Sequence, residues 1–165
     1  MKRLLLIFSL IILSFPTEGM AQATATFTAS VTIIQPIGIT NTANMNFANV
    51  DAKSGGTVIL DPDNTRSSHG GVELADGNTF SAATFEVTGQ AGYTYSITLP
   101  DSDQVLTNGT DDIIIRDFTS SLEDEGSLAL GSQTLRVGAS LDINPNQTPG
   151  KYTSPGSFNI SVNYN

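Results

Sequence analysis

The last eight residues of the chain, FNISVNYN (158–165), alternate strictly between apolar and polar side chains. Phe158, Ile160, Val162 and Tyr164 would share one face of an extended chain, with the Asn and Ser residues on the other. Because side chains alternate across a strand with a period of two, this pattern predicts a half-buried final β-strand. We expect the four apolar residues to lie in a core, with the next-to-last Tyr among them.

The same alternation recurs along the chain in short runs between clusters of turn residues. Residues 24–34 place Phe27, Val31 and Ile33 on one apolar face, and residues 93–99 form another regular run. Residues 61–71 are polar and are predicted to be a loop, and no helical period persists over more than a few residues. Many short alternating runs separated by turns are typical of an all-β sandwich or barrel. The sequence therefore predicts an all-β protein built as a sandwich or a barrel.

The N-terminal region has the pattern of a secretory signal peptide. Lys2 and Arg3 precede the apolar run 4–13, and Ala21-Gln22-Ala23 has the small-x-small form of a cleavage site. The prediction is a signal peptide over residues 1–23 and a single domain over 24–165, exported to the periplasm, cell surface or exterior. The apolar run is short for a membrane span, and no second one follows, so no span is expected after cleavage. A retained membrane anchor is the alternative.

Charge and cysteine content narrow the possible classes of partner and site. The seven basic and sixteen acidic residues become five and fifteen once Lys2, Arg3 and Glu18 are removed, a net charge of −10. Such a chain lacks the basic patch that binding nucleic acid requires. The chain has no Cys, so packing without disulfides must hold the fold, and thiol catalysis and Cys-ligated zinc are excluded.

One acidic turn is a weak calcium candidate. Asp61, Asp63 and Thr65 have the i, i+2, i+4 spacing with which oxygen ligands wrap a small cation. Arg66 stands where a calcium loop needs Gly, and no Glu occupies the twelfth position. An ordinary turn is the favoured interpretation, because Asp, Pro and Asn are common turn residues. No cofactor or metal site is therefore predicted.

No catalytic arrangement is visible in the sequence. His69 is the only His and lies in the polar stretch 66–71, without a motif that would bring it to a nucleophile and an orienting acid. Tyr93 and Tyr95 are candidates for a sugar platform, but their spacing of two on a strand favours core packing. We expect no enzyme activity. A catalytic pair of carboxylates that are distant in the sequence and brought together by the fold stays an open alternative.

Several segments resemble known exported β-proteins. Gly150-Lys-Tyr152 followed by the alternating strand ending at Tyr164 resembles the C-terminus of pilin-type immunoglobulin-like domains. Residues 37–50 resemble a segment of fimbrial and spore-coat-like secreted domains, with Ala48 in place of the usual Gly. Taken in order, the motifs of residues 24–165 resemble a family of secreted bacterial domains, domain of unknown function 4402. That resemblance implies an exported domain with an immunoglobulin-like, pilin-like antiparallel β-sandwich, and it assigns no activity.

The expected function is structural: an exported module that is a cell-surface or fimbria-like subunit, or an adhesion component. The alternative is a secreted module that binds carbohydrate, such as surface glycans, through loops at one end of the sandwich. Two roles are open for residues 24–34. They either complete the domain's own sandwich, which is the favoured arrangement, or pair as a strand with an identical or related subunit.

Overall fold

The computed structural model describes residues 19, 21–75 and 79–165. The chain separates into two units, residues 1–33 and residues 34–165. Within the first unit, the described residues 21–33 form neither helix nor strand. The described residues contain no helix that is long and apolar enough to cross a bilayer.

The second unit is all-β, and every strand pair within its described residues is antiparallel. The strands are β1 (Gly38–Ala43), β2 (Val50–Asp51), β3 (Gly56–Leu60), β4 (Arg66–Gly70), β5 (Glu73–Leu74), β6 (Ala83–Thr88), β7 (Tyr93–Thr98), β8 (Gln104–Thr107), β9 (Asp112–Ser120), β10 (Glu125–Leu128), β11 (Ser132–Ile143) and β12 (Ser161–Tyr164). The prediction of an antiparallel all-β protein is confirmed. The finer prediction of an immunoglobulin-like sandwich stays a prediction.

The largest sheet has seven strands and is organised by β11. Along one side, β11 pairs first with β6 and then with β3, while β9 pairs along its other side. The order is β1-β6-β11-β3-β4, with β8 and β9 as a branch, and the sheet curls into a half-barrel. A second sheet has the order β10-β7-β12, and β2 pairs with β5 alone. Since β12 pairs only with β7, it is an edge strand.

The core consists of two clusters of buried side chains, both reached by one face of β11. Leu135 and Val137 belong to the second cluster, whereas Ala139, Leu141 and Ile143 belong to the first. At the point where β11 passes from the second cluster to the first, its register with β9 shifts between Gly138 and Ser140. There, Asp117 of β9 has a φ of 51°. Such an extra residue is a β-bulge, which bends a strand without turning its inward face outward.

The predicted final strand is present but shorter than its alternating pattern. β12 begins at Ser161, and Val162 is buried in the second cluster. Ile160 and Tyr164 are half-buried against the second cluster, and Phe158 is half-buried against the first. Only residues 161–164 find a partner, because β7 ends at Thr98 opposite Ser161.

Two other segments differ from the sequence-based predictions. Residues 66–70, predicted as loop, form β4, because pairing with β3 uses backbone groups and does not require apolar side chains. A strand was predicted over 24–34, and none is present there; the predicted place of this segment in the domain's own core stays a prediction. Phe27, Val31 and Ile33 are 93%, 87% and 91% exposed, and no strand is assigned there. A lone segment cannot form a ladder, since each backbone donor needs an acceptor on a neighbour.

Candidate functional site

The predicted acidic turn connects β3 to β4 and is held by its own hydrogen bonds. The hydroxyl of Thr65 lies 2.8 Å from Asp63 Oδ1 and 3.1 Å from Asp61 Oδ2, and the Thr65 N–H donates to Asp63 at 2.9 Å. These bonds, led by the one from the Thr65 hydroxyl, lower the pKa of the Asp63 carboxyl below its usual value. The structure thus brings the three predicted residues together, with the Thr hydroxyl between the carboxylates. Among the described residues, no group of three His, Asp or Glu side chains is placed to hold a metal ion.

The other candidate residues lie apart from one another. His69 is exposed on β4, opposite Thr57 of β3. Tyr95 is fully buried, and its hydroxyl donates to Gln133 Oε1 at 3.0 Å, whereas Tyr93 is exposed on the same strand. Burial raises the pKa of Tyr95 above its ordinary value of 10.0. One tyrosine of the pair is therefore a core residue, and the two do not form a common platform for a sugar ring.

An open groove of about 1770 Å³ lies among the described residues. Apolar side chains from both core clusters lie at its base. They are Phe85, Leu99, Leu106, Ile113, Ile115, Phe118, Val137, Leu141 and Ile143. The first three and Phe118 are half-buried, and the other five are buried. The volume exceeds the roughly 300–1,000 Å³ of most small-molecule pockets, and the walls carry many Asn, Thr and Ser side chains.

The first wall of the groove is residues 44–53, which follow β1. Asn46 exchanges two backbone hydrogen bonds with Ser81, at 2.8 and 2.9 Å, and this fixes one side of the wall. Inside the wall, Phe47 is buried in the first cluster. The wall is thus attached to the domain by the hydrogen bonds to Ser81 and by the buried Phe47 ring.

Arg66 holds the same wall from β4. Its guanidinium donates to the backbone carbonyls of Phe47, Asn49 (3.4 Å) and Ala75 (3.1 Å), and it lies 4.9 Å from the centre of the Phe80 ring. Arg suits this position because its planar guanidinium can donate hydrogen bonds to several acceptors at once. Sequence reasoning missed Arg66, and its only signal was a single basic residue within a polar stretch.

The second wall is formed by residues 146–154 and 156–160, which lead from β11 to β12. It is attached at one point to β8, where Thr153 and Thr107 exchange backbone hydrogen bonds of 2.8 and 2.9 Å. Tyr152 stabilises the turn before it by donating to the Thr148 carbonyl at 2.7 Å. From Ser154 to Ile160, no backbone pairing with another described residue is present. Along this stretch the backbone of the wall therefore has no ladder partner in the described part of the chain.

At the far end from this wall, the last strand is joined to the start of β1. The Tyr164 hydroxyl donates to the Gln35 carbonyl at 2.7 Å and accepts from the Gln90 N–H at 2.6 Å. The Gln35 N–H in turn donates to Gln90 Oε1 at 3.2 Å. Ile39 of β1 and Tyr164 of β12 both pack against the second cluster, but in the described sheets the two strands are not hydrogen-bonded to each other.

Comparison with known proteins gives one match. The family model described as "Domain of unknown function (DUF4402)" matches residues 37–164. No curated protein and no solved structure matches the chain.

Proposed function

Because the chain belongs to the DUF4402 family, which carries no assigned activity, we propose a function from the groove itself: the protein is an exported, non-catalytic structural module. It acts at the cell surface as a fimbria-like subunit or adhesion component. The observation that carries this proposal is an apolar groove bordered by unpaired backbone. Such a site binds another polypeptide by adding a strand.

The composition of the groove supports a polypeptide partner over a soluble substrate. Its floor is aliphatic and aromatic, and its charged lining residues are Asp51, Lys53 and Lys151, all in the walls. Catalytic sites gather titratable groups with shifted pKa values in a pocket. The lowered pKa of Asp63 belongs to the β3–β4 turn, outside the groove lining. Lys53 does line the groove, and its pKa is raised by its hydrogen bond to Glu73, with which it forms a surface ion pair.

The predicted signal peptide supports export, and the high negative charge supports solubility outside the cell. An open strand edge on an isolated domain is an aggregation hazard, which proteins manage by covering the edge. An assembling subunit covers it with a neighbour. An uncovered groove would therefore promote aggregation of a free monomer, whereas in an assembly a neighbouring subunit would cover it.

The experiment is to label intact cells that make the protein with an antibody against it, and to fractionate the same cells. We expect labelling of intact cells and recovery in high-mass exported material. Recovery in the cytoplasm, or as free monomer that never reaches the outer face, would contradict the proposal. Glycan arrays on the purified chain test the alternative: saturable glycan binding lost on changing loop residues would favour the carbohydrate-binding module.

A further inference from the structure

We propose that Asn108 is a site of self-modification, at which the folded chain converts its own asparagine side chain to isoaspartate. The site lies in the loop that joins β8 to β9, residues 108–111. Asn108-Gly109 is the one Asn-Gly pair in the sequence. The reaction needs only water, and it is independent of the proposed function of the groove.

The chemistry starts at the backbone nitrogen of Gly109. This nitrogen gives its proton to solvent and bonds to Cγ of Asn108, and the Cγ–Nδ2 bond then breaks, so that ammonia leaves with a proton taken from solvent. The product is a five-membered succinimide ring. Water opens the ring at one of its two carbonyl carbons, which gives either aspartate or isoaspartate. Glycine favours the first step because it has no side chain to shield its nitrogen.

The loop holds the Asn108 side chain close to that nitrogen. Asn108 Oδ1 accepts hydrogen bonds from the N–H groups of Thr110 and Asp111, each at 2.8 Å. A bond from the N–H two residues on closes a ring that includes the Gly109 nitrogen, and it folds Cγ back toward that nitrogen. Because the reacting groups are already held together in the folded chain, closing the succinimide ring costs less entropy.

The same two N–H groups can stabilise the charge that develops. Attack at Cγ turns Oδ1 into an oxyanion, and successive backbone N–H groups that point at one atom form an anion-binding nest. The N–H of Gly109 donates to the Thr107 hydroxyl at 3.1 Å, which places a polar oxygen beside the proton that must leave. Gly109 is exposed, with a φ of 89° and nothing beyond its chain neighbours within 4 Å of where a Cβ would lie. Solvent therefore reaches the site.

Asn46 provides a comparison within the same chain. Its Oδ1 also accepts from the N–H two residues on, that of Ala48, at 3.0 Å. The residue between them is Phe47, which is buried in the first cluster. The side chain of Phe47 shields its nitrogen from attack, so we expect Asn46 to stay unmodified although its side chain makes the same kind of turn.

Conversion at Asn108 would loosen the second wall of the groove. In isoaspartate the main chain passes through Cβ and Cγ, so the loop becomes one atom longer. The 3.1 Å bond from the Asn108 N–H to the Asp111 carbonyl closes this loop, and the new carboxylate lies beside Asp111 and Asp112, which it repels. Thr107, the preceding residue, pairs with Asp112 and exchanges two backbone hydrogen bonds with Thr153 of the second wall. Disturbing the loop therefore weakens the attachment of the wall.

The first test is the rate of conversion at mildly alkaline pH, followed by mass spectrometry of peptides from the full chain. The folded chain is compared with the same chain unfolded in guanidinium chloride. We expect Asn108 to convert at least about fivefold faster in the folded chain, the factor that one ordinary hydrogen bond contributes. Asn46 should stay unconverted in the folded chain over the same period. Equal or slower conversion of Asn108 on folding, or equal conversion of Asn46, would overturn the inference.

A second test measures the effect of the modification on the wall. Hydrogen exchange at the Thr153 amide, which donates to the Thr107 carbonyl at 2.9 Å, is compared in fresh chain, in chain aged to isoaspartate and in Asn108→Asp. Asn108→Asp is the matched control, because it has the added charge but an unaltered main chain and can accept the same two N–H bonds. We expect faster exchange in the aged chain alone. Equal exchange in fresh and aged chain, or an equal rise in Asn108→Asp, would contradict release of the wall by the longer main chain.

Discussion

The hydroxyl of Tyr164 donates a hydrogen bond to the backbone carbonyl of Gln35, 129 positions earlier in the chain, at 2.7 Å. The same hydroxyl accepts from the Gln90 N–H at 2.6 Å, and its ring packs edge-on against Tyr93 with centroids 5.4 Å apart. Gly89 leaves room for it, because a Cβ there would lie 2.3 Å from the hydroxyl oxygen. One phenol thus links the start of the domain, the end of β6 and the last strand.

Removing this hydroxyl is expected to destabilise the domain. Tyr164→Phe leaves the Gln35 carbonyl and the Gln90 N–H without their partner, which costs about 1–3 kcal/mol. Tyr164→Ser also removes the ring and costs more, though less than the roughly 3–5 kcal/mol of a fully buried aromatic, because Tyr164 is half-buried. Urea unfolding measures both changes, with Tyr93→Phe as the control at the more exposed ring. If Tyr164→Ser unfolds at the same urea concentration as the unaltered chain, the last strand is not docked as described.

Gly126 in β10 is expected to tolerate no side chain. A Cβ at this position would lie 2.2 Å from Cζ of Tyr95, whose ring is fully buried and cannot move aside. Gly126→Ala should therefore cost about 1–3 kcal/mol, as for an overpacked core. The matched control is Gly156→Ala, where nothing lies within 4 Å of the added Cβ. Equal melting temperatures for the two variants would show that β10 does not pack on Tyr95.

Stability should decline at alkaline pH because of Tyr95. Its pKa is raised by burial above the ordinary value of 10.0, so the folded state holds the proton more tightly than the unfolded state. The contribution is fully present below pH 10 and is lost as the pH rises toward the folded-state pKa. Thermal unfolding from pH 8 to pH 11 measures the slope in the unaltered chain and in Tyr95→Phe. We expect a shallower alkaline decline in Tyr95→Phe, and identical slopes would contradict the assignment.

Arg66 is expected to control the shape of the groove. Arg66→Gln removes the bonds to the carbonyls of Phe47, Asn49 and Ala75, and should cost about 2 kcal/mol or more, because charged donors form the stronger hydrogen bonds. Residues 44–53 should loosen, and their amide hydrogens should exchange faster with solvent. The control is Arg136→Gln, at an exposed position of β11. If Arg66→Gln unfolds at the same urea concentration as Arg136→Gln, with equal exchange at residues 44–53, Arg66 does not support the wall.

The sequence predicted the β-class because alternation in runs such as 93–99 is a local property of the chain. It did not predict β4, since the RSSHG stretch (66–70) pairs through its backbone and carries no apolar signal. No side-chain pattern indicates the change from β6 to β3 along β11, or the register shift between β11 and β9 at Asp117. The groove could not be predicted for a further reason: its walls come from residues 44–53 and 146–160, which are far apart in the sequence.

The exposed state of residues 24–34 shows the same limit. Their alternation predicts a strand with one covered face but does not say which surface covers it. A self-contained domain and a strand-exchanging subunit therefore have the same local sequence in this segment.

Hydrogen exchange at the second wall of the groove tests the account most directly. The amide groups of residues 154–160 are measured in the dilute purified chain and in the high-mass exported material. The account predicts fast exchange in the dilute chain, because these groups have no backbone partner among the described residues, and clear protection in the assembled material. Protection that is already complete in the dilute chain, or exchange that assembly leaves unchanged, would contradict strand addition at this groove.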